Sequence, residues 1–204
     1  MTKKIPGAVR GRPRSFDRTG AVGAALRLFW NRGFEGTSIT DLTGALDIVA
    51  PSLYAAFASK EGLYREAIDL YGRKYSLKLK RAIDEEPTAE RAVRRILLEA
   101  ARVFTRRGLP HGCFIASGML ASAPEYQPLA AVFRSKRAAM IDALDARIQQ
   151  DVQKGGLPKR TDARAIAEFF GTVIEGMSVQ ARDGASERSL RATAELAMKV
   201  WRIP

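Results

Sequence analysis

Cysteine and histidine are almost missing from this 204-residue chain, which has one of each, Cys113 and His111. A lone cysteine closes no intramolecular disulfide, and a structural zinc site needs about four Cys or His ligands. One His, one Cys and no Ser-His-Asp arrangement supply no catalytic set. No apolar run approaches the roughly 20 residues of a membrane span. The basic N-terminus lacks the hydrophobic stretch of a signal peptide. Strand alternation is missing too, so no glycine-rich phosphate loop follows a strand. The expectation is a cytoplasmic chain with no enzymatic role, no cofactor, no metal and no membrane contact.

Acid is the other deficit. Against 34 Lys and Arg stand 22 Asp and Glu, a net charge of +12. That balance suits a polyanionic partner. The 46% hydrophobic content is enough for one large core or two small domains. The basic excess is densest in MTKKIPGAVRGRPRS, with Lys3, Lys4, Arg10, Arg12 and Arg14 and no acid. Pro6, Gly7, Gly11 and Pro13 oppose helix there, so 1–15 reads as a flexible basic arm. Its alternating Arg10, Arg12 and Arg14 fit a narrow minor groove, where negative potential is enhanced. The plain alternative is a solubilising tail.

What the chain does have is TSITDLTGALDIVAPSLYAAFASK, from Thr37 to Lys60. Thr37 or Ser38 can cap a helix, and Ser38 with Asp41 fits a capping box. Ile39, Leu42 and Leu46 then form one apolar face. Asp47 falls where the chain must turn, and Asp tolerates left-handed backbone. Pro51 suits the first turn of a second helix, whose Leu53 and Phe57 can pack inward. Val49, Ala50, Pro51, Ser52 and Tyr54 remain near its exposed tip. Two short helices joined by a tight turn make a helix-turn-helix, which places its second helix in the major groove of double-stranded DNA.

Helical periodicity covers nearly everything else. A first helix is expected at about 17–32, stopped by Gly33. A long fourth helix should open at Ser59 and end before Pro87, and a fifth should span about 88–107. The apolar segment 111–123 reads as a buried helix. Further helices are expected at about 125–154, 162–182 and 186–202. The fold class is therefore all-α: a three-helix DNA-binding domain at 16–60 and a helical body at 61–204. A body of this size beside a small DNA-binding unit suggests sensing. Phe104, Phe114, Met119, Phe133, Met140, Phe169 and Phe170 are candidates for a cavity wall, with plain core packing as the alternative.

With these elements on the page, the sequence resembles the TetR (AcrR-type) family of bacterial transcriptional regulators. The elements that carry the likeness run from Phe16 to Tyr71: Ala25-Leu26 with Leu28-Phe29, Gly33-Phe34, Thr37-Ser38-Ile39, Asp41-Leu42, Leu53-Tyr54, Phe57, Ser59-Lys60-Glu61 and Leu63. The body is similar in a general way, through Glu175-Gly176 and Asp183-Gly184-Ala185-Ser186. Two positions depart from the family pattern: Asp47 where Gly is usual, and Ala56 where His is frequent.

The resemblance implies phosphate contacts from Thr37, Ser38, Tyr54 and Lys60, and base-facing positions at Val49, Ala50, Pro51 and Ser52. It implies a small-molecule effector pocket in the body, for which Thr105, Ser117 and Glu175 are candidate polar groups beside Phe104, Cys113, Phe114, Met119, Phe133, Met140 and Phe170. It implies a homodimer closed by the last two helices, with Ile166, Phe170, Gly171, Val173, Ile174, Met177, Leu190, Ala194, Ala197 and Trp201 as interface candidates. Such a dimer would read a pseudo-palindromic operator in successive major grooves, about 34 Å apart, and repression would be relieved by the effector. Three alternatives stay open: a redox- or metal-responsive regulator acting through Cys113, an architectural DNA binder without sensing, and a helical enzyme using the C-terminal cavity.

Overall fold

The computed structural model describes residues 17–202, without the side chains of 76–79 and 202. Among these residues every regular element is helical. The α-helices are α1 Arg18–Arg32, α2 Ile39–Leu46, α3 Ala50–Phe57, α4 Lys60–Tyr71, α5 Leu77–Glu85, α6 Ala89–Phe104, α7 Phe114–Ser117, α8 Gln127–Gln153, α9 Ala163–Arg182 and α10 Glu187–Ala197. A π turn at Gly72–Ser76 joins α4 to α5, and 3-10 turns lie at Pro124–Tyr126 and Met198–Arg202. No helix among the described residues is long and apolar enough to cross a membrane.

Six helix starts are fixed by side-chain oxygens, and α7 by the sulfur of Cys113. Asp17, Ser38, Ser59, Thr88, Asp162 and Ser186 each accept a bond from a backbone N–H in the first turn that would otherwise lack a partner. Ser38 and Asp41 complete a reciprocal capping box. The turn between α2 and α3 holds Asp47 in the left-handed region, at φ 52° and ψ 48°.

Two apolar cores organise the molecule. The head core gathers Leu26, Phe29, Trp30, Leu42, Leu53, Phe57, Leu63, Tyr64 and Ile68 from α1–α4, and also Phe114, Ile115, Leu129 and Phe133 from much later in the chain. Tyr64 sits at its centre, 4.7 Å from the Phe29 ring centroid and 5.6 Å from that of Phe133. The packing of the head therefore continues past Lys60 through all of α4. The body core is built by α6, α8, α9 and α10, with Ile96, Leu97, Phe104, Leu144, Ile148, Phe170, Met177 and Leu190 buried. Cys113 packs against both cores.

Two elements differ from the sequence expectation. The long fourth helix is interrupted at Gly72–Ser76, where the wider turn lets Tyr71 and Tyr75 both lean on Trp30, at 5.0 and 5.4 Å between centroids. The segment 111–123 is not a helix apart from the short α7. Gly112 and Met119 take positive φ, and a Cβ at Gly118 would run into the Phe133 ring. The backbone groups this leaves open find side-chain partners. Arg137 Nη1 donates to the carbonyls of Ile115 and Gly118, at 3.0 and 3.1 Å, and Ala123 N donates to Glu35 Oε1 at 3.2 Å.

Candidate nucleic-acid interface and effector cavity

The outer face of the head is set by ties at both ends of the helix-turn-helix. Arg32 Nη1 donates to Asp41 Oδ1 at 2.7 Å, fixing α2 to the end of α1. Arg18 donates to the Ala56 carbonyl at 2.7 Å, pairs with Glu66 and lies over the Phe57 ring, fixing the far end of α3. Leu42 and Leu53 are fully buried between these ties. Asp41 accepts from both the hydroxyl and the backbone N–H of Ser38, and these bonds hold its carboxyl below the usual carboxylate range.

With its inner face anchored, α3 shows the rest to solvent. Val49 is 66% exposed and Tyr54 47% exposed, while Pro51 and Ser52 are also exposed and Ala50 is half-buried. Val49 is the N-cap residue and makes no capping bond. Thr40, Thr43 and Gly44 of α2 join Asp47, Ile48, Val49 and Ser52 around a shallow hollow on this face. Sequence reasoning passed over Thr40 and Thr43. Their three-residue spacing, at the edge of the apolar stripe of α2, was the available signal.

Two expected phosphate contacts are placed differently. Thr37 is fully buried and its hydroxyl donates to the Gly33 carbonyl at 2.7 Å, so it is unavailable to DNA. Ser38 took the capping role, which turned Thr37 inward. Lys60 is half-buried with its ammonium 4.3 Å from the Phe34 ring centroid, and desolvation lowers its pKa. Ser38 is exposed at the start of α2. Arg10, Arg12 and Arg14 lie outside the described residues.

A second feature lies in the body. A cavity of about 460 Å³ is bounded by α5, α6, α7, α8 and α9 and by the π turn at Gly72. Of the expected lining residues, Phe104, Cys113, Met140 and Glu175 belong to it. Phe114 and Phe133 pack in the head core instead, Met119 packs against that core, and Phe170 stacks on Trp201 at 5.7 Å inside the body core. Ser117 donates to the Cys113 carbonyl and Thr105 to the Ala101 carbonyl, and neither lines the cavity. Ile83, Ile115, Ile141 and Ile174 supply apolar wall, and Lys80, Asp84, Lys136 and Arg137 supply charge at positions the sequence reading did not single out.

Cys113 sits between cavity and head. Its sulfur accepts from the Tyr71 hydroxyl at 3.2 Å and from Ala116 N at 3.4 Å. Burial pushes its thiol pKa up, which suppresses the reactive thiolate. Among the described residues no group of three His, Cys, Asp or Glu could hold a metal ion. Both points weigh against the redox or metal alternative.

The expected dimer residues divide by burial. Phe170, Gly171, Ile174, Met177, Leu190, Ala194 and Ala197 are buried inside the protomer, with Ile166, Val173 and Trp201 packed against the same core. A Cβ at Gly171 would come 3.0 Å from Ile141 Cγ1, so this glycine serves the contact of α9 with α8. The free face carries other residues. Phe169, Val179 and Leu196 are 39%, 46% and 63% exposed, and a Cβ at Gly176 would meet nothing. Among the described residues the exposed large apolar side chains are these three, Val49, Tyr54 and Leu120. All but Leu120 mark the α9–α10 face or the tip of α3.

Head and body are bridged at α9. Arg182 Nη1 donates to Trp30 O at 3.2 Å and to Ser117 Oγ at 3.1 Å, and its Nη2 donates to Asn31 O at 3.2 Å. Arg27 Nη1 adds a bond to Gly108 O at 2.7 Å.

A DNA-reading head locked to a helical body that holds its own cavity defines a one-chain transcriptional regulator. Comparison with known proteins agrees. Residues 22–67 match the bacterial regulatory proteins of the tetR family, and residues 89–197 match the tetracyclin repressor-like C-terminal domain. The HTH-type transcriptional repressor ComR of Escherichia coli K12 is 35% identical over 193 residues, covering 94% of this chain and 92% of ComR. The repressor BdcR of the same organism is 34% identical over 198 residues, covering 97% and 95%. A cysteine-substituted form of the TetR family regulator CifR, complexed with 26bp double-strand operator DNA, aligns with a TM-score of 0.89 at 37% identity, covering 94% of this chain and all of CifR. The chain belongs to the tetR family of bacterial DNA-binding transcriptional regulators.

Proposed function

We propose that this protein is a homodimeric repressor that binds a pseudo-palindromic operator through α3 and leaves it when a small molecule fills the body cavity. The observation that carries the reading is the outward tip of α3, where Val49 and Tyr54 stand exposed on a head whose other large apolar side chains are buried or half-buried. ComR and BdcR carry the name of repressor, and CifR is held on operator DNA, which supports the same activity here. Val49, Ala50, Pro51 and Ser52 would face bases. Tyr54 would donate to a phosphate, and Lys60 would add charge from beside Phe34, while both donors of Ser38 are already given to Asp41. The arm with Arg10, Arg12 and Arg14 would follow the adjacent minor groove. Such a protein works where the chromosome is, in the cytoplasm.

The dimer reading rests on the free face of α9 and α10. Phe169, Thr172, Gly176 and Val179 recur at three- and four-residue spacing on α9, and Leu196 stands on α10 beside it. Two copies packed face to face would cover these groups in an isologous four-helix contact.

The effector reading rests on the cavity and its route to the head. Glu175 lines the cavity, and Arg182 holds the carbonyls at the end of α1. Two turns of α9 separate them, on one face of the helix. A molecule with an apolar body and a small polar end suits this wall. It releases DNA only if it binds better to the arrangement whose two heads no longer match the groove spacing.

The test is a salt-controlled binding measurement on a duplex that the full-length protein enriches from a random pool. Tyr54→Ala should weaken binding several-fold with the dimer intact by sedimentation. Leu196→Glu should give monomers that bind the same duplex poorly. Full affinity in both variants would reject the reading.

A further inference from the structure

The side chains that α3 offers are unusual for a base-reading helix. Its sequence is APSLYAAF, from Ala50 to Phe57. Leu53 and Phe57 are buried. What remains is Ala50, Pro51, Ser52, Tyr54, Ala55 and Ala56, with Val49 at the cap. None is an Arg, Lys, Asn, Gln, Asp or Glu. The bidentate bonds that most often distinguish bases in the major groove, from Arg or Lys to guanine and from Asn or Gln to adenine, are therefore closed to this helix. Ser52 can donate or accept a single bond and discriminates weakly.

One other base-specific feature is presented in the major groove, the 5-methyl group of thymine, and it is recognised by apolar contact. Val49 is built for that contact. It is 66% exposed, it precedes the first turn of α3, and no capping bond occupies the position. The shallow hollow around it adds further methyl-bearing side chains, Thr40, Thr43 and Ile48, beside Gly44, Asp47 and Ser52. Asp47 is the carboxylate of that rim, and it lies on the turn rather than on α3.

Resting on the operator-binding reading above, we infer that Val49 reads the 5-methyl group of a thymine in each half-site, so that α3 selects sequence through methyl contact. Removing one methyl from such a contact is worth about a four-fold change in affinity, and about fifteen-fold when both half-sites of a symmetric site lose it.

Deoxyuridine makes the test direct, because it pairs as thymidine does and lacks the 5-methyl group. The probe is the duplex enriched by the full-length protein, resynthesised with deoxyuridine at one symmetric pair of thymidine positions at a time. The expected result is a loss of about fifteen-fold at one such pair for the unmodified protein. Val49→Ala should bind the all-thymidine duplex more weakly and show no further loss with deoxyuridine at that pair. Val49→Thr, which keeps one γ-methyl, should retain part of the sensitivity. The inference is overturned if no position responds to deoxyuridine, or if Val49→Ala responds as strongly as the unmodified protein. A pool from which nothing is enriched rejects the operator reading itself, and is told apart from the first two outcomes by the lack of any bound duplex.

Discussion

Replacing Arg182 by Ala removes three hydrogen bonds with one substitution, and their geometry sets the expected loss. Two of the acceptors, Trp30 O and Asn31 O, are at the C-terminus of α1, where carbonyls lack partners and the helix dipole favours a cation. The third acceptor, Ser117 Oγ, is on the last residue of α7. A buried bond from a charged donor contributes about 1.5–3 kcal/mol. Arg182 is exposed, so water can replace much of each bond, and ordering the side chain costs up to about 2 kcal/mol. A net loss of about 1–2 kcal/mol in stability follows, which for a domain of this size lowers Tm by about 2–8 °C. Urea or thermal unfolding at fixed protomer concentration measures it, because a dimer's apparent stability depends on concentration. The second readout is coupling. Without the guanidinium, an occupant of the cavity loses its polar route to the head, so effector-dependent release from DNA should shrink while operator affinity without effector changes little. Arg182→Lys keeps the charge but loses the fork, and should fall between. A variant unfolding within about 0.3 kcal/mol of the parent, with full effector response, would refute both the magnitude and the route.

Other perturbations follow from the same contacts. Arg147 and Asp151 form a buried ion pair that also accepts from Ala89 N at 2.6 Å and donates to Glu86 O at 3.2 Å. Asp151→Ala strands a buried guanidinium and should cost about 3–5 kcal/mol in chemical denaturation. Ser38→Ala removes the α2 cap and should cost about 1 kcal/mol. Asp41 is held below its ordinary pKa by Ser38, so its contribution is present above about pH 4, the unfolded value, and is lost as pH falls through the depressed folded value. Acid titration of stability should accordingly be shallower in Ser38→Ala than in the parent. Asp47→Gly relieves a left-handed residue and removes a carboxylate from the rim around Val49, so operator affinity should rise two-fold or more at low salt while stability stays within about 1 kcal/mol. An unchanged affinity at low salt would place that carboxylate away from the phosphates.

Local chemistry was the most legible part of the sequence. Ser38 with Asp41, Ser59, Asp162 and Ser186 fix helix starts by bonds that span a few residues, and Asp47 marks the turn by its own backbone tolerance. What the sequence left open was direction. α9 is apolar on two faces, one with Phe170, Ile174 and Met177 and one with Phe169, Gly176 and Val179, and periodicity alone does not say which meets the protomer's own core. Thr37 and Ser38 are chemically equal as caps, and only packing decides which turns inward. The cavity was half-legible because Lys136 and Arg137, which no apolar pattern singles out, line it, while large aromatics that suggested a pocket, Phe114 and Phe133, fill the head core. The segment around Gly118 was misread because its non-helical backbone is satisfied by Arg137 and Glu35, distant residues that no local pattern announces.

The aromatic centre of the head draws on rings from two stretches that lie far apart in the sequence. Phe34 and Tyr64 pack on Tyr126, Phe114 and Phe133, which belong to the segment from α7 into α8. Swapping DNA-reading modules between relatives, a natural route to a new switch, is therefore not a matter of one splice. A transplant ending at Lys60 or Tyr71 would leave a hole shaped for foreign rings, and a working hybrid has to carry the stretch from Phe114 to Phe133 along with the head it completes.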